Sequence, residues 1–450
     1  MATLVFFLLV LCPVVASAEE FWRAGAASVS ITPEMPVWMA GYASRTGPSE
    51  GVLLDLTASA VVLSDTAGHR LAIVSLELIE IPTALREQLL ATALRSHGLK
   101  PSELLLNVSH THGGPMVSAK TVADWGADPV WGDRTDAWLA TLVRKVDALL
   151  GQAIARQQPA RLRFGRSSSP LAMNRRLPTP DGIRLAPNPE GPVDHDVPVL
   201  QVSATDDRLL AVVFGYACHS TTLGGIPLLN GDYVGYARQQ LERQHPQAVA
   251  VFLGGCGGDQ DPVVRGGPAE AERNGHELAA AVEKALQPDL PPLTPRLSAA
   301  METIGLPFAP LPSRDELQAR AASPNGFVSR HARMILQNWP GPADQPPDYQ
   351  YPIQVFRLGG TLTLVALAGE PMVDYSLQLK QLLQHDQQSV WIAGYSNLVN
   401  AYIPNRRVLQ EGGYEGTEAI IYQSLPAPFK PELEDRIKTT VQRLAATTQQ

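Results

Sequence analysis

The sequence predicts an α/β fold, and three observations carry that expectation. Apolar strand-like runs alternate with amphipathic stretches along most of the chain. Polar or glycine turns separate them. No long linker or low-complexity tract interrupts the rhythm, so one large domain is the simplest arrangement for 450 residues.

The elements follow in order. "DLTASAVVLSD" and "HRLAIVSLELIEI" predict neighbouring strands, and "PTALREQLLATALRSHG" a helix closed by Gly98. "ELLLNVS" is a strand, followed by a long helix over "RTDAWLATLVRKVDALLGQAIARQQ". "VPVLQVSATDDRLLAVVFGYAC" divides into two strands at Asp206-Asp207. "DYVGYARQQLERQ" is helical, "AVAVFLGG" a strand and "PAEAERNGHELAAAVEKALQ" a helix. "PIQVFRLGGTLTLVALAGE" is a hairpin turning at Gly359-Gly360. Pro-rich connectors at 288–295 and 339–352 bracket a helical insertion over roughly 313–338.

Composition narrows the function classes. Apolar residues make up 45% of the chain and charged residues 18%, which predicts a folded core and not a disordered chain. A net charge of -8 argues against nucleic acid as a partner and against an electrostatic hold on anionic lipid. Residues 1–18, ending in Ala16-Ser17-Ala18, predict an export signal cleaved before Glu19. The mature chain 19–450 is then periplasmic or secreted, with no transmembrane anchor. Cys218 and Cys256 would remain in it, either paired in an oxidising compartment or as buried thiols.

Polar residues gather where the predicted strands end. His110 and His112 follow "ELLLNVS", and His219 follows "LLAVVFGYAC". Asp259 and Asp261 follow "AVAVFLGG", and Glu370 follows "TLTLVALAG". In α/β sheets the carboxyl ends of strands are where sites are assembled. Two histidines and a carboxylate make a zinc set with a position left for water, and that metal polarises a carbonyl or acidifies its water. No HExxH helix is present. Asp259 and Asp261 also suit the capping of a following turn or helix. His69, His97, His195, His245, His276, His331 and His385 fall in turns or polar helix faces and read as solvated.

Five segments in order, "AGAASVSITPEMPVWMAGYASR", "NVSHTHGGP", "LLNGDYVGYARQQLE", "FLGGCGGDQDP" and "YIPNRRVLQEGGYEG", resemble the neutral/alkaline (non-lysosomal) ceramidase family. The resemblance implies mixed β-sheets packed with helices in a single large catalytic domain. It implies one Zn2+ held by His110, His219, Glu370 and Tyr402. It also implies substrate-side roles for His112, Arg175 and Tyr414, the last preceding Glu415.

Two departures stand out. The family's nucleophilic serine falls at Asp261, with Val263 in place of an asparagine. The family's C-terminal immunoglobulin-like domain is not expected in a chain ending at Gln450. With the zinc set retained, the expected chemistry is direct attack by zinc-activated water, with Asp261 or His112 accepting its proton and Arg175 and Tyr414 steadying the oxyanion. The expected substrate is a small or lipid-like N-acyl amide. An ester or glycan-derived substrate, or ligand binding without catalysis, is the alternative.

Overall fold

The computed structural model describes residues 20–287, 289–337, 346–384 and 388–449. The expected export signal, residues 1–18, lies outside them, as does His385.

Among the described residues, four large apolar clusters organise the chain around one large mixed sheet. Its main path runs Ser389–Ala393, Leu362–Leu367, Tyr349–Gly359, Pro292–Leu306, Gln158–Ser168, Trp22–Ser30, Thr57–Ser64, Arg70–Leu76, Leu104–Val108. From Gln158–Ser168 a branch leaves through Asp196–Ala204 and Leu209–Tyr216 to Val249–Gly254. The arms meet face to face: Val61, Leu71 and Leu105 share a core with Val202, Val213, Leu253 and Trp391. Helices cover the outer faces. Thr83–His97 and Pro129–Ala155 pack on the N-terminal strands through Leu85, Leu89, Trp138 and Leu149. Asp232–Gln244 and Pro268–Ala285 pack on the branch, and Val373–Leu383 and Leu433–Thr447 on the C-terminal hairpin.

Within the large sheet, three of the described strand pairs are parallel, each with a helix in the crossover: Arg70–Leu76 with Leu104–Val108, Leu209–Tyr216 with Val249–Gly254, and Leu362–Leu367 with Ser389–Ala393. A parallel pair needs such a crossover because its second strand must start at the same end as the first. The carboxyl ends of these pairs lead into the segments that carry His110, His112, His219, Asp261 and Glu370.

Most expected elements form. Gly98 ends its helix at φ 62°, and Gly359 and Gly360 turn the hairpin at φ 61° and 73°. The Pro-rich connectors need correction. Strand Pro292–Leu306 begins inside the first: Pro292 is its first residue, and Pro295 falls at the irregularity between Thr294 and Leu297. Strand Tyr349–Gly359 begins inside the second. The insertion is two helices, Arg314–Ala321 and Gly326–Gln337. His331 is buried, its Nε2 2.6 Å from the Leu425 carbonyl, because the second helix turns that face inward. His97, His195 and His245 are half-buried against Asp147, the Ala172 carbonyl and Glu283. Cys218 and Cys256 are free, buried thiols. Among the described residues no helix is long and apolar enough to cross a membrane.

Candidate metal centre and cleft

Strand Leu104–Val108 is buried throughout, so its polar residues appear only where it leaves the sheet. Ser109 accepts from the Ser220 hydroxyl at 2.7 Å, and Thr111 forms a bridge to Ser220. These bonds lock the His110 loop to the His219 loop. His219 N–H donates to the Gln260 carbonyl at 2.9 Å, which ties in the loop of Asp259 and Asp261. Gly258 N–H donates to the Pro371 carbonyl at 3.0 Å, and Glu370 pairs with Tyr402 in a short parallel ladder. Backbone hydrogen bonds therefore stitch the separate strand ends into one ring.

His110 adopts φ 55°, unusual for a non-glycine residue. Such strain persists only where the surroundings hold it. Here it brings the two histidines together past the strand end, with Nε2 atoms 3.3 Å apart. Gly41 leaves room for this: a Cβ there would stand 2.6 Å from the His112 side chain.

Three acceptors converge at the floor of the cleft. His110 Nδ1 is 2.7 Å from the Ile79 carbonyl, and His219 Nδ1 is 2.7 Å from the Gly257 carbonyl. A carbonyl accepts, so each Nδ1 carries the hydrogen and each neutral ring directs the Nε2 lone pair inward. Glu370 Oε2 lies 3.1 Å from His110 Nε2 and 3.4 Å from His219 Nε2, yet it is buried without a hydrogen bond. Lone pairs facing one another with no proton between them suit a bound cation. His112 also brings a ring nitrogen to this point, and His110, His112 and His219 form a group able to hold a metal. Burial and the neighbouring histidines lower His112.

Tyr402 places its hydroxyl 3.4 Å from His219 Nε2, and Arg175 Nη2 donates to it at 3.0 Å. Arg175 Nε donates to Glu415 at 2.8 Å, and Arg175 Nη1 donates to Asp261 Oδ1 at 3.2 Å. Asp261 also accepts from Thr221 at 3.3 Å and from Arg265 at 2.9 Å. Burial pushes its carboxyl up, and Arg175, His219 and Arg265 outweigh that and hold it low. Tyr414 stands beside Tyr402, ring centroids 5.6 Å apart, and burial raises both phenols.

All eight expected site residues thus face one cleft or its floor. Asp259 does not. It is fully buried and accepts from Val373 N–H at 2.8 Å, at the start of helix Val373–Leu383, and from Asn174 at 3.1 Å. The helix it caps is not the following one, Pro268–Ala285, but a remote one that the fold brings alongside.

The cleft has two lobes meeting at His112, Tyr402 and Tyr414, of about 450 and about 120 Å³. The smaller one exposes residues that the sequence did not single out. Gln423 donates to Glu370 Oε1 at 3.3 Å and accepts from Tyr402 N–H at 3.2 Å, bracing both residues. Glu80 lines the same lobe, its carboxyl pushed up to about 7 by burial and by the Glu370 charge. The one available signal for Glu80 was its place just past an apolar strand; Gln423 had none.

An α/β scaffold that ends its parallel strands on two histidines and a carboxylate, under a cleft, has the layout of a metalloenzyme. The chain matches the model for the neutral/alkaline non-lysosomal ceramidase, N-terminal, over residues 22–284, and it belongs to that family. In fold it is similar to the neutral ceramidase from Pseudomonas aeruginosa, with a TM-score of 0.73 at 20% identity, covering 96% of this chain and 75% of that one. It is also similar to a ceramidase complexed with C2, with a TM-score of 0.73 at 18% identity, covering 95% of this chain and 75% of that one. No curated protein matches the chain.

Proposed function

We propose that this protein is a zinc-dependent amide hydrolase of the ceramidase type, acting on an N-acyl substrate. The observation that carries the reading is Glu370 Oε2, buried and unbonded between the inward nitrogens of His110 and His219. Those three residues would hold the ion, with Tyr402 beside them. When bound, Zn2+ would supply Lewis-acid polarisation of the carbonyl and a lower pKa for water.

The chain's own residues do the rest. His112 Nε2 accepts the proton of the attacking water as the carbon–oxygen bond forms. It returns that proton to the amine nitrogen as the carbon–nitrogen bond breaks. Arg175, with N–H groups left over from Glu415, Asp261 and Tyr402, stabilises the negative charge on the carbonyl oxygen, helped by the Tyr414 hydroxyl. Asp261, held ionised by two guanidiniums, is a weak base and serves to fix Arg175.

A lipid-like substrate is supported by a neighbouring apolar cavity of about 660 Å³ that shares Asn400 and Gln423 with the smaller lobe. Phe308, Leu311, Met334, Ile335 and Leu425 line it. Export rests on residues 1–18 alone.

The test is metal analysis of the purified protein, followed by turnover of ceramide, simpler N-acyl amides and esters with and without chelator. Stoichiometric zinc and chelator-sensitive amide cleavage are expected. Bound zinc with no chelator-sensitive turnover would instead favour a ligand-binding homologue, the reading that Asp261 at the serine position supports.

A further inference from the structure

Away from the cleft, one buried cation lacks a counter-charge. Among the described residues four arginines are less than a tenth exposed: Arg175, Arg176, Arg238 and Arg357. Three of them meet a carboxylate, Arg175 and Arg176 through Glu415 and Arg238 through Glu77. Arg357 meets none. Its Nη1 donates to the Gly360 carbonyl at 3.2 Å, and its Nε is buried and bonds to no protein atom. Burial lowers its pKa, and no described carboxylate offsets that. A buried charge without a partner is destabilising, so an ion from outside the chain that pairs with it is favoured.

Its place in the sheet aims it at a pair of cavities. Arg357 lies on strand Tyr349–Gly359, opposite Ser298 on one neighbour and Thr363 on the other. Phe356 and Leu358, on either side of it, enter the apolar core between the sheet arms, so Arg357 points to the other face. There it lines two cavities, of about 500 and about 200 Å³. Neither shares a lining residue with the cleft lobes. Arg296, Ser298, Gln388 and Thr448 line the larger one with Arg357, and no described carboxylate lines either. Thr448 follows helix Leu433–Thr447, whose end contributes about half a negative charge that fades within a turn, less than one guanidinium carries. The larger cavity is therefore polar, with positive charge left unmatched. Arg296, Arg357 and Gln388 bring N–H donors from three separate segments, which suits a tetrahedral oxyanion better than a flat carboxylate.

We propose that this cavity is an anion-binding site in which Arg357 holds a phosphate group, free or as a phosphomonoester, and so ties helix Leu433–Thr447 to the sheet. The site is separate from the cleft and stands whether or not the chain is an amide hydrolase.

The test is calorimetric titration of the purified full chain with inorganic phosphate and with glycerol phosphate, for wild type and Arg357→Gln. Saturable binding is expected for the wild type, weaker by about 10- to 100-fold in the variant, the range for hydrogen bonds to a charged group. Whichever ligand binds tighter tells whether the site takes the free ion or an ester. Phosphate should raise the Tm of the wild type more than that of the variant. A purely structural role for Arg357 would leave the same gap in Tm at every phosphate concentration. Crystals of the wild type soaked in selenate, a tetrahedral stand-in located by its anomalous scattering, should show a peak beside the Arg357 guanidinium. That measurement needs no variant and decides the matter if Arg357→Gln fails to fold. No saturable binding, equal affinity in wild type and variant, a constant Tm gap, or a selenate peak only at Arg175 in the cleft overturns the proposal.

Discussion

Arg175 donates to the Tyr402 hydroxyl at 3.0 Å, and through that bond the cleft wall is fastened to the candidate metal centre. Arg175 comes from strand Ala172–Thr179 and Tyr402 from strand Tyr402–Ile403, which lie far apart in the chain. Glu415 and Asp261 both brace the guanidinium. Glu415 bonds Arg175 at 2.8 Å and Arg176 at 2.6 Å, with no exposed side-chain surface.

Glu415→Gln should therefore destabilise the fold, by about 3–5 kcal/mol, because it leaves two buried guanidiniums short of a counter-charge. A urea midpoint measures this. Burial pushes the Glu415 carboxyl up, but Arg175 and Arg176 hold it below its ordinary value. Its contribution is present above the unfolded pKa and is lost as pH falls through the lower folded pKa. The gap between wild type and variant should narrow as the solution is acidified below about pH 4.

His110→Ala and His219→Ala should each abolish stoichiometric zinc, read by elemental analysis. Chelation of the wild type should lower Tm, since loss of a ligand present at 100 times its Kd removes about 2.7 kcal/mol. An unchanged Tm under chelation would count against a resident ion.

His112→Ala separates two roles. As proton acceptor, His112 should be dispensable for zinc and worth about 10²–10⁴ in turnover. Loss of zinc in this variant would show it to be a third histidine ligand, as its place in the His110, His112 and His219 group allows.

Asp261→Ala should cut turnover by about two orders of magnitude or more with zinc retained, because Arg175 and Arg265 lose their shared anchor. Near-wild-type turnover would remove Asp261 from the machinery.

Asp259 gives a pH prediction of opposite sign. Burial raises its carboxyl to about 6, above the ordinary 3.8. Between those values the folded chain keeps a proton that the unfolded chain has lost, so stability falls as pH rises through the window. Asp259→Asn should flatten that decline, measured as Tm against pH from 4 to 6.

Much of this was legible along the chain. Apolar runs and amphipathic stretches identified the strands ending in Val108, Tyr216, Gly254 and Leu367, and so the loops bearing His110, His219, Asp261 and Glu370. Burial of both sheet faces makes those runs conspicuous and pushes polar chemistry to their ends. Strand pairing was not legible. Pro292–Leu306 hid behind its prolines, and His331 read as solvated though its helix packs inward.

The sequence by itself determined which side chains are available for chemistry and at which strand ends they emerge, because periodicity and turn residues act locally. Only the tertiary structure decided that they converge. The left-handed turn at His110, the carbonyls of Ile79 and Gly257 that orient the imidazoles, and the Gln423 brace on Glu370 all depend on contacts between remote segments. The same holds for Asp259 and Asp261, adjacent but for Gln260. Packing made one a buried helix cap and the other a carboxylate clamped between arginines in the cleft.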